Sequence, residues 1–199
     1  MKSPCLPVLR LRTLLLALIL AALARSASGQ LASGYECTVI SGGSATVDDS
    51  DFSMAGQSGS ALIVNSTGPY PAVVDARVDI TGIKFQANPV GDPQKKLFLA
   101  LQFRDNGTGA RVRAFLTEVS LSAGAYREIL AFDSDAFPAS TSYQTQQVGS
   151  PLCRWDNVLY LSTSLNFVRL ELTKSNADGY PAARIIRVCQ GYECSAPTF

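Results

Sequence analysis

Histidine is absent from all 199 residues. No other side chain ordinarily exchanges a proton near neutral pH. Ser-His-Asp and Cys-His nucleophilic arrangements are therefore excluded as usually built, and His-rich zinc and copper sites go with them. The chain also lacks a run of basic residues, a long amphipathic helical pattern and a Gly/Ser/Pro-rich linker. Without a basic run there is no electrostatic reason to bind nucleic acid or an anionic membrane. Without a linker the chain reads as a single domain after its N-terminal segment.

That segment is basic first (Lys2, Arg10, Arg12), then apolar from Leu14 to Leu23, then small from Ala24 to Gly29. The order is that of a secretory signal peptide, and the apolar run is too short to span a bilayer comfortably. Residues 1–29 are expected to be removed after Gly29, with Ala27 at −3, leaving a domain of residues 30–199 in the extracellular space or a periplasm. The removed segment carries four of the 17 basic residues and no acid, so 13 basic residues then face 16 acidic ones, a net charge of −3. No membrane association is expected after cleavage.

What is present is alternation. In Val168–Thr173 the apolar Val168, Leu170 and Leu172 interleave with Arg169, Glu171 and Thr173. That period of two marks a strand with one buried and one wet face. Val74, Ala76, Val78 and Ile80 repeat the pattern against Asp75, Arg77, Asp79 and Thr81. Further strands are expected at Cys37–Ile40, Ser60–Asn65, Leu97–Arg104, Ala110–Thr117, Tyr126–Phe132, Tyr143–Val148 (an edge strand, since it is mostly polar) and Ala183–Cys189. Some eight to ten strands with short turns predict an all-β, antiparallel, jelly-roll-like sandwich. Asn106-Gly107 favours a tight type I′ turn. It predicts a hairpin with Leu101 opposite Val112 and, on the other face, Phe98 opposite Phe115.

Cys5 leaves with the signal peptide. Cys37, Cys153, Cys189 and Cys194 remain, an even number in an oxidising compartment, and read as two disulfides. The tetrapeptide Gly-Tyr-Glu-Cys occurs at 34–37 and again at 191–194. On that repeat the expected pairing is Cys37–Cys194 with Cys153–Cys189, and Cys189–Cys194 is the main competitor.

Candidate binding residues follow from this layout. Phe98 and Phe115 would form an aromatic pair on a wet sheet face, suited to stacking a sugar. Arg111 and Arg113, two apart on that face, would meet an acidic ligand, and Trp155 beside Cys153 would be a loop-borne contact. Asp48, Asp49 and Asp51 sit in a Gly/Ser-rich loop and could hold calcium through oxygen ligands. The EF-hand pattern fails there: counted from Asp49, the sixth residue is Met54 rather than glycine. Metal is otherwise not expected, and no cofactor is implied. Asn65-Ser66-Thr67 and Asn106-Gly107-Thr108 satisfy the N-glycosylation pattern. For a glycan-active enzyme two carboxyls must face each other, and Glu118, Glu128, Glu171 and the aspartates qualify by residue type alone. The sequence thus favours a secreted, non-catalytic β-sandwich that binds an extracellular carbohydrate or protein. A carboxylate-dependent glycan-active enzyme and a structural component of an extracellular or envelope assembly are the alternatives.

Overall fold

A strand with one apolar stripe buries it most simply against the stripe of another sheet, and this chain does so with two antiparallel sheets. The computed structural model describes residues 35–80, 96–149 and 164–191. Eleven strands occur among them: β1 (Tyr35–Ser41), β2 (Thr46–Val47), β3 (Ala55–Ser58), β4 (Ala61–Val64), β5 (Ala72–Asp79), β6 (Lys96–Asp105), β7 (Ala110–Ser120), β8 (Tyr126–Asp133), β9 (Ser140–Gly149), β10 (Ser164–Lys174) and β11 (Ala182–Gly191). The helical content of the described residues is two short 3-10 turns, Gly42–Ser44 and Ser134–Ala136. The first sheet runs β3-β4-β11-β6-β9, with β1 also paired to β11. The second runs β2-β5-β10-β7-β8. The expected sandwich is the observed one, and β9 does lie at a sheet edge. The Gly/Ser-rich stretch before residue 60 adds two short strands, β2 and β3, that show no apolar alternation.

The inward stripes come from the alternating runs. Val74, Ala76 and Val78 of β5, Leu97, Leu99, Leu101 and Phe103 of β6, Val112, Ala114 and Leu116 of β7, and Val168, Leu170 and Leu172 of β10 all join one buried core. Phe103 from the first sheet meets Phe132 from the second edge-to-face at 5.2 Å between ring centres, and Phe137 stacks on Phe132 at 5.3 Å.

The predicted hairpin of β6 and β7 does not form. One edge of β6 is taken by β11, with Leu101 opposite Ile186, and the other by β9. β7 lies in the other sheet, between β10 and β8. The turn at 106–109 is therefore an arch from sheet to sheet. Among the described residues no non-glycine has a positive φ, so Asn106 does not take the conformation that a type I′ turn needs, whereas Gly107 has φ 110°. The buried Asp105 carboxylate holds the arch. It accepts from the Gly107 N–H at 2.9 Å and from the Ser134 hydroxyl, and the Val112 N–H donates to that hydroxyl. The two apolar stripes were correctly read as buried, but they face each other across the core instead of lying side by side.

The disulfide pairing also differs from expectation. Cys37 is bonded to Cys189, and the two Cα atoms are 4.1 Å apart. They are directly opposite in the β1–β11 ladder, so the partners expected for them, Cys194 and Cys153, are excluded. Cys153, Cys194, Trp155 and residues 1–29 lie outside the described residues.

Candidate functional site

The outer face of the second sheet is a grid of charge set by the register. Phe167, Arg169 and Glu171 of β10 lie opposite Asp79, Arg77 and Asp75 of β5, and opposite Thr117, Phe115 and Arg113 of β7. Each arginine here is matched by an acid. Arg77 bonds Asp79 at 2.7 Å, Arg113 pairs with Glu171, and Arg169 reaches Glu128 at 3.5 Å. Arg111 bonds Asp133 and lies 3.0 Å from Asp135. The hydrogen bond from Arg111 holds the Asp133 carboxyl below the usual carboxylate range, and the same bond raises the guanidinium. The aromatic faces are covered by cations: Arg77 sits 4.1 Å above the Phe167 ring and Arg169 4.5 Å above that of Phe115.

A groove of about 270 Å³ opens on this face, lined by Thr46, Val47, Asp48, Asp75, Arg77, Phe167 and Arg169 among others. Burial pushes the Asp75 carboxyl up, against the opposing pull of Arg169, and Asp51 and Asp48 add to the rise. Asp75 Oδ1 is buried without a hydrogen-bond partner among the described residues. Two of the three acids nominated for calcium accept hydrogen bonds within the protein. Asp51 accepts the Asp75 N–H at 2.9 Å, and Asp48 accepts from Ser50. Among the described residues no three acidic or cysteine side chains converge into a cation cage.

A different arrangement occupies one end of the sandwich. The turn between β10 and β11, residues 175–181, lies on the arch between β6 and β7. Ser175 N–H donates to the Gly109 carbonyl, and Asn106 clamps both directions: its Nδ2 donates to the Asp178 carbonyl at 2.6 Å and its Oδ1 accepts the Tyr180 N–H at 2.7 Å. A Cβ on Gly179 would fall 1.7 Å from the Gly109 carbonyl oxygen, so this contact requires glycine. The clamp places Tyr180 between two cations. Arg104 lies 5.7 Å from its ring centre and Lys174 5.4 Å. The row continues both ways. Arg104 also lies 5.7 Å from the Tyr143 ring, where Arg184 approaches to 5.3 Å, and Lys174 lies 5.8 Å from the Tyr70 ring. Six residues from six elements and connections thus alternate as Tyr70, Lys174, Tyr180, Arg104, Tyr143, Arg184. The Tyr180 side chain is exposed, and Lys174 is buried on the inward register of β10.

The sequence-derived candidates are dispersed rather than gathered. Phe98 and Phe115 belong to different sheets and do not form a pair. Phe98 faces Cys189 and Gly149 across its two neighbouring strands, and at 2% exposure it is core against the disulfide. Phe115 lies beneath Arg169. The proposed sugar platform on these two rings is therefore lost with the hairpin that created it. Arg111 and Arg113 share the outer face as expected, already neutralised by carboxylates. Asn65 is exposed just beyond β4, whereas the Asn106 amide is engaged as the clamp. Tyr70, Tyr143, Tyr180 and the cations between them escaped the sequence reading because they are scattered along the chain. Local pattern carries no sign of their meeting.

No protein-family model matches the chain, and no curated protein matches it. Solved structures align with the chain at low identity. They include the enzymatically active domain of bacteriophage CBA120 tailspike protein 4 (12% identity over 78% of this chain and 19% of that one, TM-score 0.37). The Clostridium thermocellum xylanase 10B CBM22-1–GH10 modules complexed with xylohexaose align at 11% identity over 77% and 26%, TM-score 0.34. The xylan-binding module CBM15 aligns at 12% over 79% and 91%, TM-score 0.32. This chain matches about a fifth of the length of the first and a quarter of the second.

Proposed function

We propose that this protein is a secreted, non-catalytic β-sandwich that binds an extracellular carbohydrate, with the tyrosine–cation row at the end of the sandwich as the contact surface. The observation that carries the reading is the row itself. An exposed tyrosine is pinned by the Asn106 clamp between two cations, on a rigid pair of sheets, which is the preorganised mix of aromatic and hydrogen-bonding groups that ligand sites use. The chain's lack of histidine favours binding over nucleophilic chemistry. The test is a glycan array and a turnover assay on the full chain, expressed with its own N-terminal segment in a secreting host. Retention of a glycan without release of products supports the reading, as does recovery of secreted protein beginning at Gln30. Robust hydrolysis, or failure to bind any glycan, sinks it.

One observation favours a second reading, a carboxylate-dependent glycan-active enzyme. Asp75 lines a groove, and its carboxyl is raised by burial, as a general acid requires. Under that reading Asp75→Asn abolishes turnover and leaves glycan binding in place.

A further inference from the structure

Two groups stand out among the described cations. On the second sheet Arg77, Arg111, Arg113, Arg127 and Arg169 each have a carboxylate partner. In the row at the sandwich end, Arg104, Lys174 and Arg184 have no carboxylate partner among the described residues. Their contacts there are tyrosine rings and two neutral oxygens. Arg104 Nε donates to the Tyr180 carbonyl at 3.2 Å and Arg184 Nε donates to Ser60 Oγ at 3.1 Å.

Those two bonds fix each guanidinium by one edge and leave its Nη end without a partner among the described residues. The Nη end is half of the fork that meets carboxylate or sulfate oxygens in a bidentate manner. Lys174 is the third cation of the row. Its stem is largely buried, and its ammonium lies against the rings of Tyr70 and Tyr180. Ring quadrupoles hold cations in place and offset their repulsion without cancelling their charge. The chain without residues 1–29 is acidic overall, so a row of cations with no carboxylate partner among the described residues is a local feature rather than a general excess.

We propose that the row recognises an acidic carbohydrate, one that carries carboxylate or sulfate groups along its length; this rests on the binding reading above and names its ligand class. Two cations share the Tyr143 ring and two share the Tyr180 ring, so the three heads are linked ring by ring within reach of a single oligomer. The phenol hydroxyls of Tyr70, Tyr143 and Tyr180 have no partner among the described residues, and they suit a ligand rich in hydroxyls. An acidic peptide satisfies the cations but leaves those hydroxyls with fewer matches. Nucleic acid calls for more basic surface than this chain has.

The experiment is titration calorimetry on the full secreted chain with four probes: oligogalacturonate, a heparin-derived sulfated oligosaccharide, neutral xylo-oligosaccharide and polyglutamate. The expected result is binding of one or both acidic sugars, weakening as salt rises, and at least tenfold weaker binding of the neutral sugar and of polyglutamate. The tighter acidic sugar identifies carboxylate or sulfate as the preferred group. Arg104→Gln and Arg184→Gln should each lower affinity about tenfold, the size expected for a lost charge-assisted hydrogen bond. Arg104→Lys should recover part of the loss, and Arg111→Gln should bind as the wild type does. Thermal midpoints separate loss of binding from loss of fold. Equal or tighter binding of the neutral sugar overturns this inference and leaves the carbohydrate-binding reading standing; unchanged affinity in both row variants overturns it together with the row as the contact surface. Preference for polyglutamate makes the partner an acidic protein. Binding of no probe overturns this inference, and the glycan array then decides whether the carbohydrate-binding reading stands.

Discussion

Replacing Cys37 and Cys189 together by alanine should destabilise the protein by about 3–5 kcal/mol. The bond joins residues 152 apart in sequence, and the chain-entropy treatment of a loop that long gives roughly 5 kcal/mol, against about 2–4 kcal/mol for a typical native bridge. Truncating the two sulfurs beside the buried Phe98 ring adds a cavity cost on the order of 1 kcal/mol. The β1–β11 ladder runs through seven residue pairs and persists without the bond, so the loss should not reach the sum of these figures. At about 2–4 °C per kcal/mol for a domain of this size, the thermal midpoint should fall by roughly 6–20 °C. The assay is calorimetric or dichroism-monitored unfolding of the double variant beside the wild type, both unreduced. A non-reducing peptide map of the wild type accompanies it. We expect Cys37 joined to Cys189. A loss below about 1 kcal/mol, or a map joining Cys37 to Cys194, would refute the register on which the first sheet is described.

Three further outcomes are expected. Asn106→Ala removes both hydrogen bonds of the clamp and should cost about 1–2 kcal/mol by denaturant unfolding; because it frees Tyr180, it should also weaken acidic-sugar binding severalfold. Gly179→Ala forces a methyl group onto the Gly109 carbonyl, where backbone meets backbone, and should lower stability by about 1–3 kcal/mol. Asp75→Asn tests the sign of a half-buried carboxyl. The folded-state carboxyl of Asp75 is raised, so its favourable contribution is complete below the unfolded value and is lost as pH rises through the folded one. The variant should therefore melt above the wild type at pH 7, and the difference should vanish by about pH 3. A lower midpoint for the variant at pH 7 would show that the carboxylate is satisfied where it lies.

The sequence by itself determined which residues face inward. Val74, Val78, Leu99, Leu101, Val112, Leu116, Val168 and Leu170 were assigned by alternation, and each is buried. A residue's face is a local property, because successive side chains on a strand point opposite ways whatever the strand pairs with. Partner choice is not local. The Asn-Gly signal favoured a hairpin, but both edges of β6 found partners far along the chain, and the stripe of β7 found its place across the core. Reading partners from local signals also set Phe98 beside Phe115 and misdirected the disulfide, since a tetrapeptide repeat says nothing of which strands lie side by side. Tertiary structure alone brought Tyr70, Arg104, Tyr143, Lys174, Tyr180 and Arg184 into one row. It did so through the seating of one turn on one arch, and a contact made between two loops leaves no periodicity in either.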